Sequence, residues 1–157
     1  MADLRELYQQ IILDHSRNPR FFKKDLELPL HKSCYNPLCG DQIEIYCKTK
    51  NGIITDLSFT GKGCAISIAS ASLMAEALQN KEIQTAREIF LWYQSFVTDK
   101  PSTLCPHNVG KLKIMGSVRQ FPMRVKCATC SWHALQGALD GAAGEVSTES
   151  SETISHG

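Results

Sequence analysis

The segment Gln42–Thr60, QIEIYCKTKNGIITDLSFT, carries the clearest structural signal in the sequence. In its first half, Ile43, Ile45 and Cys47 alternate with more polar side chains, and its second half is rich in β-branched and aromatic residues. The dipeptide Asn51-Gly52 separates the two halves. Asn-Gly between two such runs is typical of a tight β-hairpin, because both residues tolerate a positive φ. We therefore predict two antiparallel strands joined at residues 51 and 52.

Helical patterns lie on both sides of this hairpin. Residues 3–17 carry apolar side chains at helical spacing, and Asn18-Pro19 would end that helix. The segment from there to Pro37 is predicted to be irregular chain or a short strand. After the hairpin, helices are predicted at about 64–79, 85–97, 109–112 and 128–139. This order predicts an α+β domain, in which a small antiparallel three-stranded sheet is joined by an N-terminal helix and a cluster of C-terminal helices.

Length and composition limit the class of protein. The chain has 157 residues, of which 43% are hydrophobic and 21% are charged, and its formal net charge is +1. These values suit one globular domain and exclude collagen-like, coiled-coil and wholly disordered chains. The near-zero net charge argues against general nucleic-acid binding. No apolar stretch reaches the ~18 residues of a membrane span and no signal peptide is evident, so we expect a cytoplasmic protein without a membrane anchor.

The end of the chain differs in composition from the rest. From residue 144 onward the sequence consists largely of Ser, Thr and Glu, with little apolar surface to bury. We predict a folded domain over residues 1–143 and a disordered tail over residues 144–157.

Three of the seven cysteines lie at predicted junctions between elements. Cys39 precedes the first long strand, Cys64 begins a predicted helix after the second strand, and Cys127 precedes the last predicted helix. Helix N-termini favour thiolate over thiol, which suits Cys64 and Cys127 as metal ligands. Asp41 lies two residues after Cys39 and could supply a fourth, oxygen ligand. Three thiolates and a carboxylate would form a tetrahedral site for zinc or iron.

The spacing of these cysteines leaves a second interpretation open. Separations of this length match no local zinc-finger pattern, and buried cysteines often act only as small apolar residues. That interpretation is favoured for Cys47, which alternates with isoleucines in the hairpin. Cys34 and Cys105 have no evident partner in the sequence. Cys130 completes a CxxC with Cys127, and His133 is predicted to be a packing or surface residue.

Four motifs together resemble one known family. They are Asp14-His15-Ser16-Arg17-Asn18-Pro19-Arg20, Asn36-Pro37-Leu38-Cys39-Gly40-Asp41, Gly61-Lys62-Gly63-Cys64-Ala65-Ile66-Ser67 and Arg124-Val125-Lys126-Cys127-Ala128-Thr129. With these motifs the chain resembles the iron–sulfur cluster assembly proteins of the IscU/NifU N-terminal family over about residues 3–140. Lys126 replaces the histidine of scaffold-type members, and Lys100–Arg124 resembles an insertion of the SufU-like branch. Cys130 stands where that branch usually has leucine.

The resemblance implies both a metal site and a partner. The implied ligands are Cys39, Asp41, Cys64 and Cys127, and the implied cofactor is Zn²⁺, or alternatively iron or a transient [2Fe–2S] cluster. The implied partners are a cysteine desulfurase that carries pyridoxal phosphate and downstream cluster-assembly proteins.

Three functions are consistent with these features. The first is a zinc-bound sulfur acceptor that takes persulfide sulfur from the desulfurase, with Cys39 as the acceptor because it lies on a loop before Gly40. Such a protein is a sulfurtransferase-like accessory protein rather than a free-standing enzyme. The second is a scaffold on which a [2Fe–2S] cluster is assembled and passed to apo-proteins. The third is a zinc-stabilised binding domain without chemistry.

Overall fold

The predicted hairpin forms the centre of the sheet in a computed structural model of the chain. The structure describes residues 4–98, 104–105, 107–141 and 145–147. Strand β2, Asp41–Lys50, pairs antiparallel with β3, Ile53–Lys62. Asn51 and Gly52 join them with φ values of 54° and 77°, as the tight turn requires. The hairpin prediction is therefore confirmed.

Strand β1, Leu30–Asn36, completes the antiparallel sheet. It pairs with β2 from Leu30 opposite Cys47 to Asn36 opposite Asp41. The three-stranded antiparallel sheet predicted from the sequence is confirmed. Because Asn36 and Asp41 are the last pair of this ladder, the turn between them is held at one end of the sheet.

A short fourth strand, Glu145–Ser147, lies beside β1 in parallel orientation and gives the strand order β3-β2-β1-β4. These three residues fall in the segment predicted to be a disordered tail, so for them the prediction is corrected. The physical reason is that β1 would otherwise be an edge strand with unpaired backbone groups, which an extended segment can satisfy whatever its polarity. The rest of the predicted tail lies outside the described residues.

Within the described ranges, four α-helices accompany the sheet. They are α1, Leu4–Arg17; α2, Ala65–Leu78; α3, Ile83–Phe96; and α4, Pro122–Leu139. Helix α2 is buried on nearly every side, in keeping with its run of Ala, Ser, Ile, Leu and Met, and it packs against α1, α4 and β3. Helix α4 packs across β1 and β2, where Trp132 is fully buried and stacks on Tyr93 of α3.

Two helix boundaries differ from the sequence prediction. Helix α4 begins at Pro122, six residues before the predicted start at 128. Proline suits the first turn of a helix, because its missing N–H would have no partner there. The short helix predicted at 109–112 is a 3-10 helix over Gly110–Gln120. Three of its four buried side chains, Leu112, Met115 and Val118, recur every third residue, the period of a 3-10 helix, and the fourth is Ile114.

None of the helices in the described ranges has the length and apolar character needed to cross a membrane.

Candidate metal centre

Residues from four segments meet at the end of the sheet where β1 ends and β2 begins. Cys39 lies in the turn between β1 and β2, and Asp41 is the first residue of β2. Cys64 is the N-cap of α2, directly after β3. Cys127 lies on α4, which packs across β1 and β2. The fold therefore brings together residues that are up to 88 positions apart in the chain.

Three of these side chains form a cluster of possible metal ligands. One ligand atom each from Cys39, Asp41 and Cys127 lies within 4.8 Å of the other two. The Cys127 thiol donates to the Cys39 sulfur at 3.1 Å. Cys127 and Asp41 are fully buried, whereas Cys39 is half-buried. The cluster therefore has one side that a partner could approach, and Cys39 lies on it.

The Asp41 carboxylate is held in place by neutral donors. It accepts hydrogen bonds from Asn36 Nδ2 at 3.1 Å and from the backbone N–H of Cys64 at 2.8 Å. Asn36 Nδ2 also donates to the Cys127 sulfur at 3.4 Å. Asn36 was part of a quoted motif, but the sequence prediction gave it no role. The feature that brings the Asn36 side chain to the site is its pairing with Asp41 at the end of the β1–β2 ladder.

The chain passes close to Asp41 at Gly63. A Cβ placed on Gly63 would collide with the Asp41 carboxylate and lie 3.1 Å from the Asp41 Cα. The absence of a side chain at position 63 is therefore what allows the β3–α2 connection to lie against the carboxylate. This connection carries Cys64 into the site.

Cys64 borders the cluster and has a perturbed thiol. Its sulfur accepts hydrogen bonds from the Cys127 thiol and from the N–H groups of Ile66 and Ser67 in the first turn of α2. These bonds stabilise the thiolate and, against the opposing effect of burial, lower the pKa of Cys64 to about 6. The prediction that Cys64 lies at a helix N-terminus, where a thiolate is favoured, is confirmed.

The corresponding expectation for Cys127 is wrong. Because α4 begins at Pro122, Cys127 lies inside the helix and not before it. Its thiol is fully buried and donates a hydrogen bond to the Cys39 sulfur, and the neighbouring Cys64, burial and Cys39 raise the pKa of Cys127 above its ordinary value.

The guanidinium of Arg124 lies beside the cluster. Arg124 Nη1 is 3.9 Å from the Cys39 sulfur, and Cys64, Cys127 and Cys39 together raise the pKa of Arg124. Exposed apolar side chains lie nearby in the chain at Leu38, Phe121 and Met123.

The residues present fit a zinc ion. The fully buried Asp41 carboxylate accepts hydrogen bonds from the neutral Asn36 amide and from the Cys64 N–H, and a buried carboxylate in such surroundings is stabilised by a bound cation. Two thiols lie beside it, and Cys64 supplies a third that is already acidic. Sulfur and carboxylate ligands in this number suit tetrahedral zinc, and thiolates also suit iron.

The remaining cysteines and His133 are placed as follows. Cys47 is fully buried in the core, as predicted. His133 contacts the ring of Phe90, which agrees with a packing role, and burial lowers its pKa to about 4. Cys130 is also fully buried, and the neighbouring Cys34 together with burial raises the pKa of the Cys130 thiol. Cys34 was expected to have no clear partner, and that expectation is wrong because the partner lies on a different element.

Comparison with known proteins identifies the family. Residues 7–128 match the NifU-like N-terminal domain. The chain is 38% identical to the zinc-dependent sulfurtransferase SufU of Bacillus subtilis, over 86% of this chain and 90% of that protein. It is 35% identical to the iron–sulfur cluster assembly scaffold protein IscU of Thermotoga maritima, over 85% and 92% of the two chains.

Solved structures agree with this assignment. A putative iron–sulfur cluster assembly scaffold protein for the SUF system from Fervidobacterium islandicum matches with a TM-score of 0.75 at 31% identity, over 83% of this chain and 94% of that one. The N-terminal part of a NifU-like protein from Brucella abortus has the same fold, with a TM-score of 0.76 at 22% identity over 85% and 92% of the chains. The chain therefore belongs to the NifU-like N-terminal domain family of iron–sulfur cluster assembly proteins.

Proposed function

We propose that this protein is a zinc-bound sulfur acceptor in iron–sulfur cluster assembly. The observation that carries the proposal is the convergence of Cys39, Asp41 and Cys127, with Cys64 hydrogen-bonded to Cys127 at their border. The similarity to a protein named as a zinc-dependent sulfurtransferase supports both the metal and the activity.

The four proposed ligands are Cys39, Asp41, Cys64 and Cys127. A zinc ion held by them would keep the thiols ionised near neutral pH and would bind the β1–β2 turn to α2 and α4. The surrounding side chains already orient the ligands, since Asn36 donates to both Asp41 and Cys127. Arg124 would offset part of the negative charge that the thiolates and the carboxylate bring together.

Cys39 is the proposed acceptor. Cys39 and Cys64 are both half-buried, whereas Cys127 is fully buried, but Cys64 is held by the first turn of α2. The following residue, Gly40, has a φ of 69°, and a side chain there would meet no atom within 4 Å. The turn therefore has room to move and can present Cys39 to a partner with little repacking.

The transfer step is a thiol exchange. The Cys39 thiolate attacks the outer sulfur of a persulfide on the partner, and a new S–S bond forms at Cys39. The S–S bond of the partner breaks, and its cysteine leaves as a thiolate. Arg124, 3.9 Å from the Cys39 sulfur, is placed to stabilise the negative charge of the persulfide that remains. The partner of this chemistry is a cysteine desulfurase that carries pyridoxal phosphate, and cluster-assembly proteins would receive the sulfur.

A second candidate function is a scaffold for a [2Fe–2S] cluster. It is favoured by the 35% identity to a protein named as a cluster assembly scaffold, and the same thiols could bind iron. In that case the cluster is cargo, and the site would hold iron and sulfide together rather than a resident zinc ion.

The deciding experiment combines metal analysis with sulfur mapping. The purified chain is analysed for zinc and iron, and is then incubated with a desulfurase that has been loaded with cysteine and desalted. Peptides are mapped for added sulfur by mass spectrometry. We expect zinc in the purified protein and a persulfide on Cys39, with loss of sulfur acceptance in Cys39→Ala. The matched control is Cys105→Ala, since Cys105 is also half-buried.

The alternatives give different results. A scaffold would bind iron and form a cluster when iron and sulfide are supplied, with no persulfide required on Cys39. A binding domain without chemistry would lose only stability on substitution of its cysteines. Persulfide found mainly on Cys64, Cys127 or Cys130, with Cys39 unmodified, would overturn the assignment of the acceptor.

A further inference from the structure

Two thiols of the metal centre lie close enough to be joined after a small movement. The sulfur atoms of Cys39 and Cys127 are 3.1 Å apart, and a disulfide bond holds its two sulfurs about 2.05 Å apart. The two residues belong to different segments, the β1–β2 turn and helix α4, so a bond between them would not distort a single helical turn. The proposed function uses these thiols only as metal ligands and, for Cys39, as the sulfur acceptor.

One of the two thiols is held in place and the other can move. Cys127 is fully buried inside α4. Cys39 is half-buried in a turn whose next residue, Gly40, has a φ of 69°, and an added Cβ on Gly40 would meet no atom within 4 Å. The two sulfurs need to approach each other by only about 1 Å to reach the length of a disulfide bond, and the turn has room for that movement.

Cys39 also lies beside a cation on the accessible side of the centre. Arg124 is exposed, and its Nη1 is 3.9 Å from the Cys39 sulfur. A neighbouring guanidinium favours the thiolate, which is the form of cysteine that reacts with peroxides. The pair therefore combines one accessible sulfur that can be oxidised with one buried sulfur that can attack the oxidised product.

Cys64 is the third thiol at the centre, and its position makes it a poor partner for a lasting disulfide. It is the N-cap of α2, where the free N–H groups of the first turn favour its thiolate. A thiol whose thiolate is stabilised is a good leaving group in disulfide exchange. A disulfide that includes Cys64 is therefore opened by the remaining thiol, and exchange ends at a Cys39–Cys127 bond with Cys64 free.

We propose that Cys39 and Cys127 form a reversible disulfide when the chain meets a hydroperoxide, and that this bond switches off the metal centre. The bond removes two of the four proposed ligands together with the acceptor thiol. The chain then keeps only Asp41 and Cys64, fewer than the three or four protein ligands of ordinary zinc sites, and it releases zinc. A dithiol reductant restores both thiols. The loss of zinc and of sulfur acceptance rests on the proposed function, whereas the disulfide itself does not.

Each step of the oxidation is balanced. The Cys39 thiolate attacks one oxygen of hydrogen peroxide, the O–O bond breaks and hydroxide leaves, so that Cys39 becomes a sulfenic acid. The Cys127 sulfur then attacks the Cys39 sulfur, the S–S bond forms and the S–O bond breaks. The hydroxyl group leaves as water with the proton of Cys127, or with a proton from solvent when that thiol is already ionised. The two cysteines lose two electrons in total, and the peroxide gains them.

The switch leaves a persulfide on Cys39 intact. A sulfenic acid is a neutral electrophile that condenses readily with a thiol. A persulfide is an anion near neutral pH, so its charge repels an attacking thiolate, and the group that it would have to expel is sulfide rather than water. The pair therefore responds to an oxidant and not to a sulfur donor, in agreement with the persulfide expected on Cys39.

The test uses the full-length chain after its zinc content has been measured. Hydrogen peroxide is added stepwise in the presence of a chromophoric chelator that reports released zinc, and at each step free thiols are alkylated and disulfides are mapped by mass spectrometry. The variants are Cys64→Ser and, as a matched control at a half-buried cysteine outside the centre, Cys105→Ala. Thermal melting confirms that each variant is folded. The oxidised chain is then freed of peroxide and offered sulfur by a loaded, desalted desulfurase, before and after treatment with dithiothreitol.

The expected results are specific to this pair of thiols. Wild type and Cys105→Ala should lose zinc in step with formation of the Cys39–Cys127 disulfide, about one zinc per disulfide, with Cys64 free for alkylation. Cys64→Ser should form the same disulfide. Dithiothreitol and added zinc should restore the original metal content, and sulfur acceptance should be lost on oxidation and regained on reduction.

Other results would overturn the switch. They include a wild type that forms mainly a disulfide with Cys64 or a sulfinic acid on Cys39, a disulfide that forms without loss of zinc, and loss of zinc while both thiols stay reduced. Equal sulfur acceptance by the oxidised and reduced chains would overturn the control of acceptance. A chain purified without zinc, or one that accepts no sulfur even when reduced, would count against the proposed function, and the disulfide map would still decide whether Cys39 and Cys127 are a redox pair.

Discussion

The backbone N–H of Cys64 donates a hydrogen bond of 2.8 Å to the Asp41 carboxylate. The N-cap residue of α2 thereby orients the side chain of the first residue of β2, and a hydrogen bond from a backbone N–H links two of the proposed ligands. This arrangement holds without any contribution from the thiol of Cys64. The orientation of Asp41 should therefore depend on the path of the backbone just before α2, and this leads to a first prediction.

Substitution Gly63→Ala should weaken metal binding. The new Cβ would collide with the Asp41 carboxylate, so either the carboxylate or the β3–α2 connection must move. We expect a loss of zinc affinity of about tenfold or more, as is typical when the groups that orient a ligand are disturbed. The affinity is measured by competition with a chromophoric chelator.

The control for this substitution is Gly52→Ala in the hairpin turn. The φ of Gly52 is 77°, which disfavours residues that have a side chain, but an added Cβ there would meet no atom within 4 Å. It should lose roughly 1 kcal/mol of stability with unchanged zinc affinity. Equal zinc affinities for Gly63→Ala and Gly52→Ala would show that the contact with Asp41 is unimportant.

Substitution Asn36→Ala should lower metal affinity without removing a ligand. Asn36 Nδ2 donates to the Asp41 carboxylate at 3.1 Å and to the Cys127 sulfur at 3.4 Å, and the residue is fully buried. Loss of such an orienting residue typically costs 10–100-fold in affinity. The same chelator competition measures it, with Asn18→Ala at an exposed asparagine of the first helix region as the matched control. If the two variants bind zinc equally well, Asn36 does not orient the ligands.

The fold could be predicted from sequence wherever the signal is local. The hairpin follows from alternation and the Asn51-Gly52 turn, and α2 follows from its composition. The start of α4 was missed because Pro122 is compatible with both a loop and a first helical turn, and packing against β1 and β2 decides between them. Strand β4 was missed because its pairing depends on the free edge of β1 and not on its own polar sequence.

The site could be predicted less completely than the fold. The four proposed ligands come from motifs, and the structure brings Cys39, Asp41 and Cys127 together. Contacts between distant segments could not be read from the spacing: Asn36 reaches Cys127 across 91 positions. The contact of Cys34 with Cys130 has the same origin, since β1 and α4 meet only in the folded chain. The lowered pKa of Cys64 was expected because Cys64 was predicted to begin a helix. The same expectation for Cys127 was wrong because α4 begins at Pro122, before Cys127.

Two truncated chains should distinguish the contribution of strand β4 to stability from the contribution of the residues that follow it. A chain ending after Ser147 keeps the β4 pairing with β1, and we expect it to match the full-length chain in melting temperature and zinc content. A chain ending after Gly141 exposes the edge of β1 from Ser33 to Tyr35, so we expect a lower melting temperature. Thermal melting and metal analysis measure both. Identical melting of the two truncated chains would mean that β4 contributes nothing to stability.

The stability of the fold should fall in mild acid because of His133. Burial against Phe90 lowers the pKa of His133 to about 4, and its Nδ1 is buried with no hydrogen-bond partner among the described residues. The ordinary histidine pKa is 6.5, so between pH 6.5 and about 4 the unfolded chain binds a proton that the folded chain excludes. Stability contributed by the neutral imidazole is complete above pH 6.5 and is lost as the pH falls through this window.

Substitution His133→Leu should remove this part of the pH dependence. Urea unfolding of both proteins is measured from pH 7 to pH 4, and the difference in unfolding free energy between them is plotted against pH. Because protonation of the metal ligands and of His15 acts on both proteins alike, it cancels in this difference. We expect the variant to gain about 2–3 kcal/mol relative to the wild type across the window, the amount that corresponds to a pKa shift of this size. A difference that stays constant with pH would show that the His133 imidazole takes up its proton as easily in the folded protein as in the unfolded chain.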